Sequence, residues 1–145
     1  YKCRETAKLP IRAHKTDAGM DFFYCPGNGT KFTVLEPGET SLLSTGIKMQ
    51  VPSGFMLQIM NKSGIAAKRS LITGACVVDE GYTGEIFVNL HNIGKEKQII
   101  ESGQKIAQGV FVNIGTPALI EVFEDNIYQQ HTSRGAGSLG STGDT

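Results

Sequence analysis

Short apolar runs alternate with turn residues along almost the whole chain. The clearest case is segment 85–91, where Ile86, Val88 and Leu90 fall on one side of an extended strand and the intervening residues on the other. Similar patterns predict strands at 32–35, 41–51 with a break at Thr45-Gly46, 55–60, 105–112 and 119–123. Segment 61–68 is compatible with a short helix that has Ser63 as its N-cap. Many short strands with frequent turns predict an all-β sandwich or barrel.

Segment 74–86 joins a buried run to a new strand through turn residues. The apolar run 75–78 ends at Asp79, and two turn glycines flank Tyr82 before the next strand begins. This pattern predicts a β-hairpin with a carboxylate and an aromatic ring at its tip. A carboxylate held at a defined place is a candidate general base. Taken alone, the segment also fits an ordinary turn, because Asp is a common turn residue.

The composition supports one domain built mainly of strands. The chain has 145 residues, 39% of them hydrophobic, and its 18 Gly and 5 Pro favour a turn-rich fold over a helical one. The 14 basic and 14 acidic side chains cancel, so no bulk attraction to nucleic acid or to a membrane surface follows. No apolar run approaches the roughly 18 residues of a membrane span. Any site for an anion must therefore be local.

The cysteines and histidines give no sign of a metal centre. Cys3, Cys25 and Cys76 are isolated from one another, and no Cys-x-x-Cys or Cys/His pattern suggests zinc. Three free thiols fit a reducing compartment, and no signal-peptide pattern opens the sequence, so we expect an intracellular protein. The histidines lack recognisable catalytic partners, and we interpret them as surface or structural residues. They are His14, His91 and His131.

The end of the chain differs from the rest in composition. Segment 134–143 is too rich in Gly to pack a core, so we expect a β-barrel domain over 1–133 and a mobile arm over 134–145. The Gly-x-Gly-x-x-Gly spacing at 135–140 is not a dinucleotide fingerprint, because no βαβ unit follows it. Composition alone favours a disordered end. A flexible arm with Arg134, Ser141 and Thr142 is also suited to wrap a phosphate chain.

Five motifs in order resemble those of the trimeric dUTPase (deoxyuridine 5'-triphosphate nucleotidohydrolase) family. They are 18–22 (Ala-Gly-Met-Asp-Phe), 62–66 (Lys-Ser-Gly-Ile-Ala), 74–86, 103–108 (Gly-Gln-Lys-Ile-Ala-Gln) and the arm 134–143. Each motif is weak alone, but five at family spacing are specific. The resemblance implies a jelly-roll-like distorted β-barrel with a short helix after the second motif. It also implies a homotrimer in which each active site is built by all three chains, with the arm closing over a neighbouring subunit's site.

The resemblance implies hydrolysis of dUTP to dUMP and pyrophosphate with Mg²⁺, which limits uracil incorporation into DNA and supplies dUMP for dTTP synthesis. Asp79 would activate the attacking water, and Asp21 would orient metal-bound water without binding the metal directly. The phosphates would be bound by Lys62, Ser63, Gly64, Gln108, Arg134, Ser141 and Thr142. The uracil and deoxyribose would be bound by Gly74, Cys76, Val77, Val78, Tyr82 and Leu139, with Tyr82 excluding a 2'-hydroxyl.

The chain departs from the family pattern at several site positions. Lys62 stands where Arg is usual and keeps the charge without the bidentate fork. Cys76 replaces a common Gly and Thr83 a frequent Arg, and Leu139 stands where an aromatic ring usually stacks on the uracil. The lysine and the sequence 79–85 favour a viral or phage member of the family.

Leu139→Phe is predicted to lower the Michaelis constant for dUTP. An aromatic ring stacked on a base contributes about 1–3 kcal/mol in other nucleic-acid sites, and leucine cannot supply it. Steady-state kinetics of the two proteins would check this, and an unchanged or higher Michaelis constant would contradict it.

Two other functions stay open at this point. The related dCTP deaminase family shares the fold, although Asp79 and the glycine-rich arm speak against it. A catalytically weak protein of dUTPase fold that binds or regulates a partner is the second alternative. A purely structural jelly roll, such as a capsid subunit, would have no reason to keep these motifs.

Overall fold

Nine β-strands and one short α-helix form the regular structure of the residues that the computed structural model describes, 1–27, 29–127 and 135. The strands are β1 (Met20–Phe23), β2 (Phe32–Leu35), β3 (Thr40–Ser44), β4 (Phe55–Met60), β5 (Leu71–Thr73), β6 (Val77–Val78), β7 (Phe87–Asn92), β8 (Gln98–Glu101) and β9 (Lys105–Asn113). The helix α1 is Ser63–Arg69, and a 3₁₀ turn covers Glu124–Asn126. None of the helices in the described ranges is long and apolar enough to cross a membrane.

The strands form three antiparallel sheets. Their orders are β1-β9-β4-β6, β2-β8 and β3-β7-β5. The all-β prediction is confirmed. The ladders of the described residues stay separate, however, and do not close into the expected barrel.

All three sheets contribute side chains to one apolar core. Phe22 and Leu57 come from the first sheet, Ile100 from the second and Val88 from the third, and all four are fully buried. Burying a side chain of this size contributes about 1.5–3 kcal/mol. The alternation predicted for 85–91 is also confirmed, because residues 86, 88 and 90 are all buried. The sheets are thereby held in the arrangement that positions the site residues.

The predicted hairpin at 74–86 is wrong. β6 pairs with β4, in the register Val78↔Leu57, whereas β7 pairs with β3 and β5 in another sheet. The two arms belong to ladders of different sheets, so they do not pair with each other. The tight turn between them does form, with the Tyr82 N–H donating to the Asp79 carbonyl at 3.1 Å.

Three further predictions need correction. The second half of the predicted strand 41–51 forms no strand, because β3 ends at Ser44 and Ile47 beyond it makes an isolated bridge with Lys2. The helix starts within the second motif, not after it, and Lys62, not Ser63, is its N-cap, with extended backbone and a carbonyl that accepts the Ala66 N–H at 2.9 Å. Segment 119–123 forms no strand, because an apolar run becomes a strand only where a partner ladder is available.

The chain divides into two compact units, 1–115 and 116–145. The first contains all nine strands of the described residues, and the described part of the second contains the 3₁₀ turn. The domain boundary predicted between 133 and 134 falls among residues outside the described ranges and stays a prediction.

Candidate active site

Asp21 lies in β1 at the centre of a cluster of charged side chains. Its Oδ1 accepts a hydrogen bond from the Lys62 ammonium at 2.5 Å, and its Oδ2 accepts one from the Lys105 ammonium at 2.7 Å. Burial raises the pKa of Asp21, but the bonds from Lys105 and Lys62 outweigh burial and lower the pKa below its ordinary value. The carboxylate is therefore ionised near neutral pH. We call Asp21, Lys62 and Lys105 the Asp21 cluster.

Asp21→Asn is predicted to flatten the acid limb of the stability curve. Because the folded-state pKa of Asp21 lies below its ordinary value of 3.8, the carboxylate adds stability above that value and loses it as pH falls through the folded pKa. Between about pH 5 and pH 3, the wild-type free energy of unfolding should therefore fall more steeply than that of the variant. Urea titrations at fixed chain concentration would measure both slopes. Asp125→Asn, at an exposed carboxylate, is the matched control, and equal slopes for Asp21→Asn and wild type would contradict the prediction.

Gln108 lies directly across the sheet from Asp21, in the register Asp21↔Gln108. Its side-chain amide donates to the Asn61 carbonyl at 2.9 Å, which ties β9 to the segment before α1. Gly19 leaves room for this side chain, since a Cβ there would collide with the Gln108 amide. The sheet register thus brings together Asp21, Lys62 and Gln108, three residues predicted for the phosphate end of a substrate.

The start of α1 carries Ser63 and Gly64, both exposed, next to Lys62. Arg69 fixes the other end of the helix, donating to the Gln98 side chain at 2.8 Å and to the Ile99 carbonyl at 2.7 Å. The helix is therefore anchored to β8, and its first turn stays beside the Asp21 cluster.

Asp79 and Tyr82 line one pocket of about 270 Å³ at the end of β6. The other lining residues are Leu42, Val77, Val78, Glu85, Ile86 and Phe87. The Tyr82 hydroxyl donates to the Glu85 carbonyl at 2.8 Å, so the ring is held at the pocket wall. Leu42 and Phe87 are pocket residues that the sequence did not indicate, although both are large apolar side chains exposed on their strands. We call this cavity the Asp79 pocket.

Gly74 is fixed against β7. Its N–H donates to the Asn89 carbonyl at 2.9 Å, and a Cβ at this position would collide with the side chains of Asn89 and His91. The His91 ring is in turn hydrogen-bonded through Nδ1 to the Thr40 hydroxyl at 2.6 Å, which agrees with its interpretation as a structural residue. Only glycine allows segment 74–78 to lie this close to β7.

β6 is the outermost strand of its sheet among the described residues. The Cys76 carbonyl accepts the Ile59 N–H at 2.7 Å, so the backbone groups of Cys76 point towards β4. Because such bonds alternate along an antiparallel strand, the N–H and C=O of Val77 point away from the sheet. One donor and one acceptor are thus presented side by side at the open edge.

The Asp21 cluster and the Asp79 pocket lie at opposite corners of the four-stranded sheet. Met60 of β4 pairs with Gln108, which in turn pairs with Asp21. At the other end of β4, the pairing of β6 with β4, extended by one residue, places Asp79 opposite Met56. With ~3.3 Å per residue and ~4.8 Å per strand, the Cα atoms of Asp21 and Asp79 are roughly 20 Å apart. Within one chain, the two groups cannot reach the same phosphate.

The remaining predicted site residues belong to the arm. Arg134, Leu139, Ser141 and Thr142 lie outside the described residues, as does His131. Within the described ranges, no group of three or more His, Cys, Asp or Glu side chains is arranged to hold a metal ion. Each oxygen of Asp21 is hydrogen-bonded by one lysine, which is compatible with the predicted contact to a metal through water.

Comparison with known sequences confirms the resemblance to the dUTPase family. The family model described as dUTPase matches residues 5–143. The deoxyuridine 5'-triphosphate nucleotidohydrolase of Clostridium novyi is 39% identical over 144 residues, which cover 98% of this chain and 95% of that protein. The protein of the same name from Mus musculus is 38% identical over 141 residues, covering 96% of this chain and 80% of that protein.

Solved structures of dUTPases are also similar to this chain. A mutant dUTPase of Staphylococcus bacteriophage 80alpha, solved with dUpNHpp, has a TM-score of 0.82 and 28% identity, covering 99% of this chain and 96% of that chain. A mutant dUTPase from phage phi11 of S. aureus, described with a structural Mg(II) ion, has a TM-score of 0.76 and 30% identity, covering 86% of this chain and 96% of that chain. With a family model spanning nearly its whole length and relatives of the same name at almost full coverage, this chain belongs to the dUTPase family.

Proposed function

We propose that this chain hydrolyses dUTP to dUMP and pyrophosphate. The observation that carries the proposal is the Asp79 pocket, where a carboxylate and a tyrosine ring meet beside an open strand edge. The pocket has room for a nucleoside, and the family of the chain supplies the reaction. In a cell this activity would limit uracil incorporation into DNA and supply dUMP for dTTP synthesis.

The backbone of segment 74–78 would select the base. Val77 presents an N–H and a C=O side by side, and uracil offers a matching acceptor and donor along its edge. Cytosine presents the opposite pattern, and leaving buried polar groups unpaired in this way costs up to about 10⁴-fold in kcat/KM. Tyr82 would lie against the deoxyribose, and its ring would leave no space for a 2'-hydroxyl.

Asp79 would hold and deprotonate the water that attacks the α-phosphorus. The pyrophosphate leaves with the bridging electron pair, so no residue of the chain need be modified. When present with the substrate, Mg²⁺ would neutralise part of the phosphate charge. Asp21 is the residue that would contact water bound to such an ion, while Lys62, Ser63, Gly64 and Gln108 would bind the phosphates.

The active site would be shared between copies of the chain in a homotrimer. The roughly 20 Å between the Cα atoms of Asp21 and Asp79 exceeds the reach of a triphosphate, so the Asp79 pocket of one subunit would face the Asp21 cluster of another. The outward side of the four-stranded sheet supports this proposal, because apolar residues lie there between the two groups. They are Met56, Met60, Val77, Val110 and Val112. The arm, with Arg134, Leu139, Ser141 and Thr142, would come from the third chain.

Pyrophosphate release from dUTP with Mg²⁺, measured alongside dTTP, dCTP and UTP, tests the function. We expect cleavage of dUTP alone. Formation of a uracil product from dCTP would instead indicate a deaminase. Tight binding of dUTP without cleavage would favour a binding or regulatory protein.

A further inference from the structure

The Glu85 carboxylate is held by three residues from two separate parts of the chain, the N-terminal segment and segment 44–46. Arg4 donates from Nη1 and Nη2 to its two oxygens at 2.9 and 3.0 Å, and the Gly46 N–H donates at 2.8 Å. The Ser44 hydroxyl donates as well. Burial raises the pKa of Glu85, but the bonds from Arg4, Ser44 and Gly46 outweigh burial and lower it, so the pair is ionic at neutral pH. We call these four residues the Glu85 clasp.

The Glu85 clasp lies directly behind Tyr82. The carbonyl of Glu85 accepts the Tyr82 hydroxyl at 2.8 Å, and the ring covers Gly84 so closely that a Cβ there would collide with it. A shift of the Glu85 backbone would therefore move the hydroxyl and the ring together.

The Arg4 end of the clasp is itself anchored. The Cys3 N–H donates to the Gly46 carbonyl at 2.7 Å, and a Cβ at Gly46 would collide with the Ala7 side chain and press against the Arg4 guanidinium. Arg4 lies 81 residues before Glu85 and outside the five sequence motifs. The N-terminal segment is thus fastened to the wall of the Asp79 pocket.

We propose that Arg4 and Glu85 are a positioning pair that sets the preference for deoxyribose over ribose by fixing Tyr82. This inference rests on the proposed hydrolysis of dUTP. A steric wall excludes a 2'-hydroxyl only when the wall cannot yield, because a pocket that can shift slightly accepts an isostere with one extra hydroxyl. A bidentate arginine–carboxylate pair restrains both position and orientation, which a single contact does not.

The test compares Arg4→Gln with wild type in kcat/KM for dUTP and for UTP. We expect the dUTP-to-UTP ratio to fall about tenfold, mainly because UTP is excluded less well. A purely structural role would reduce the amount of folded enzyme and scale both activities equally, leaving the ratio unchanged. Arg4→Lys keeps the positive charge but cannot form the bidentate contact with Glu85, so it should restore only part of the dUTP-to-UTP ratio. Lys2→Gln, at a neighbouring cation that donates to the Glu5 carbonyl, is the control and should keep the wild-type ratio.

A double-mutant cycle with Tyr82→Phe tests whether Arg4 acts through the position of Tyr82. Tyr82→Phe removes the bond to the Glu85 carbonyl, so Arg4→Gln should change the ratio less in that background than in wild type. A ratio within about twofold of wild type for Arg4→Gln, or fully additive effects in the cycle, would overturn the inference.

Failure of the proposed function would look different. In that case wild type would release no pyrophosphate from dUTP. The ratio of the affinities for dUMP and UMP, measured by calorimetry, would then replace the ratio of kcat/KM values. A wild type that selects dUMP, with selection lost in Arg4→Gln, would support the pair without the hydrolase. A wild type that neither cleaves dUTP nor prefers dUMP would overturn both.

Discussion

Asp79→Asn is expected to lower kcat for dUTP by about 10³-fold, since general base catalysis contributes about 10²–10⁴-fold. Asparagine keeps the shape of the side chain and can still orient water, but its amide cannot accept the proton. The Michaelis constant should change only a few-fold, because the base, the sugar and the phosphates keep their contacts. Steady-state pyrophosphate release, with calorimetric titration of dUMP to confirm binding, measures both quantities.

Glu80→Gln is the matched control for this substitution. Glu80 is the adjacent exposed carboxylate. It accepts the Gly54 N–H at 3.1 Å, and it does not line the Asp79 pocket. This variant should keep nearly full activity. If Asp79→Asn retained more than about a tenth of wild-type kcat, a different group would have to activate the water.

Mixing two inactive variants is expected to restore activity. Asp79→Asn lacks the base, and Lys62→Met weakens phosphate binding and should lower kcat/KM at least about 100-fold, as expected for loss of a charged contact. When the chains are unfolded together at equal amounts and refolded, some sites combine an intact Asp79 with an intact Lys62 from a different chain. For random trimers with the two groups on neighbouring subunits, about one site in four is complete, so roughly a quarter of wild-type activity should return.

The controls for this experiment are the two variants refolded separately and then combined without exchange. Sedimentation equilibrium would establish that all preparations contain three chains. Activity in the co-refolded sample no higher than the mean of the two variants would mean that each site is built within one chain. The shared site inferred from the roughly 20 Å separation between the Asp21 and Asp79 Cα atoms would then be wrong.

Local pattern predicted the strands that have one buried face. Strands β2 and β4 have the predicted bounds, and β9 extends one residue beyond its prediction. The missed strands are β1, β5 and β8, and none of them shows a clear alternation in sequence, since the two apolar residues of β8 are adjacent isoleucines. All four residues of β1 are buried, so its sequence shows no alternation, and β5 has only three residues. The hairpin prediction failed for another reason. The turn depends on neighbouring residues, whereas the pairing of β6 with β4 and of β7 with β5 depends on segments far apart in the sequence.

The sequence motifs identified two groups of candidate residues that the fold brings close together, and the roles of these residues remain proposals. Asp79 and Tyr82 do share a pocket, and Asp21, Lys62 and Gln108 do lie together. Lys105 and Arg4 were not assigned roles, because their contacts depend on sheet register and on a chain separation of 81 residues. No window along the sequence contains that information. The roles given to the arm residues remain predictions.

The open edge of β6 has a consequence for the solubility of the protein. Unpaired strand edges are templates on which further chains can add as extra strands, and proteins limit this by keeping such strands short and ending them with charge. β6 has only two residues and is followed at once by Asp79. The same carboxylate that serves as the proposed base is therefore placed to discourage strand addition, and uracil would cap the edge with hydrogen bonds whenever nucleotide is bound. The enzyme should accordingly aggregate more slowly when nucleotide fills the Asp79 pocket than when the pocket is empty.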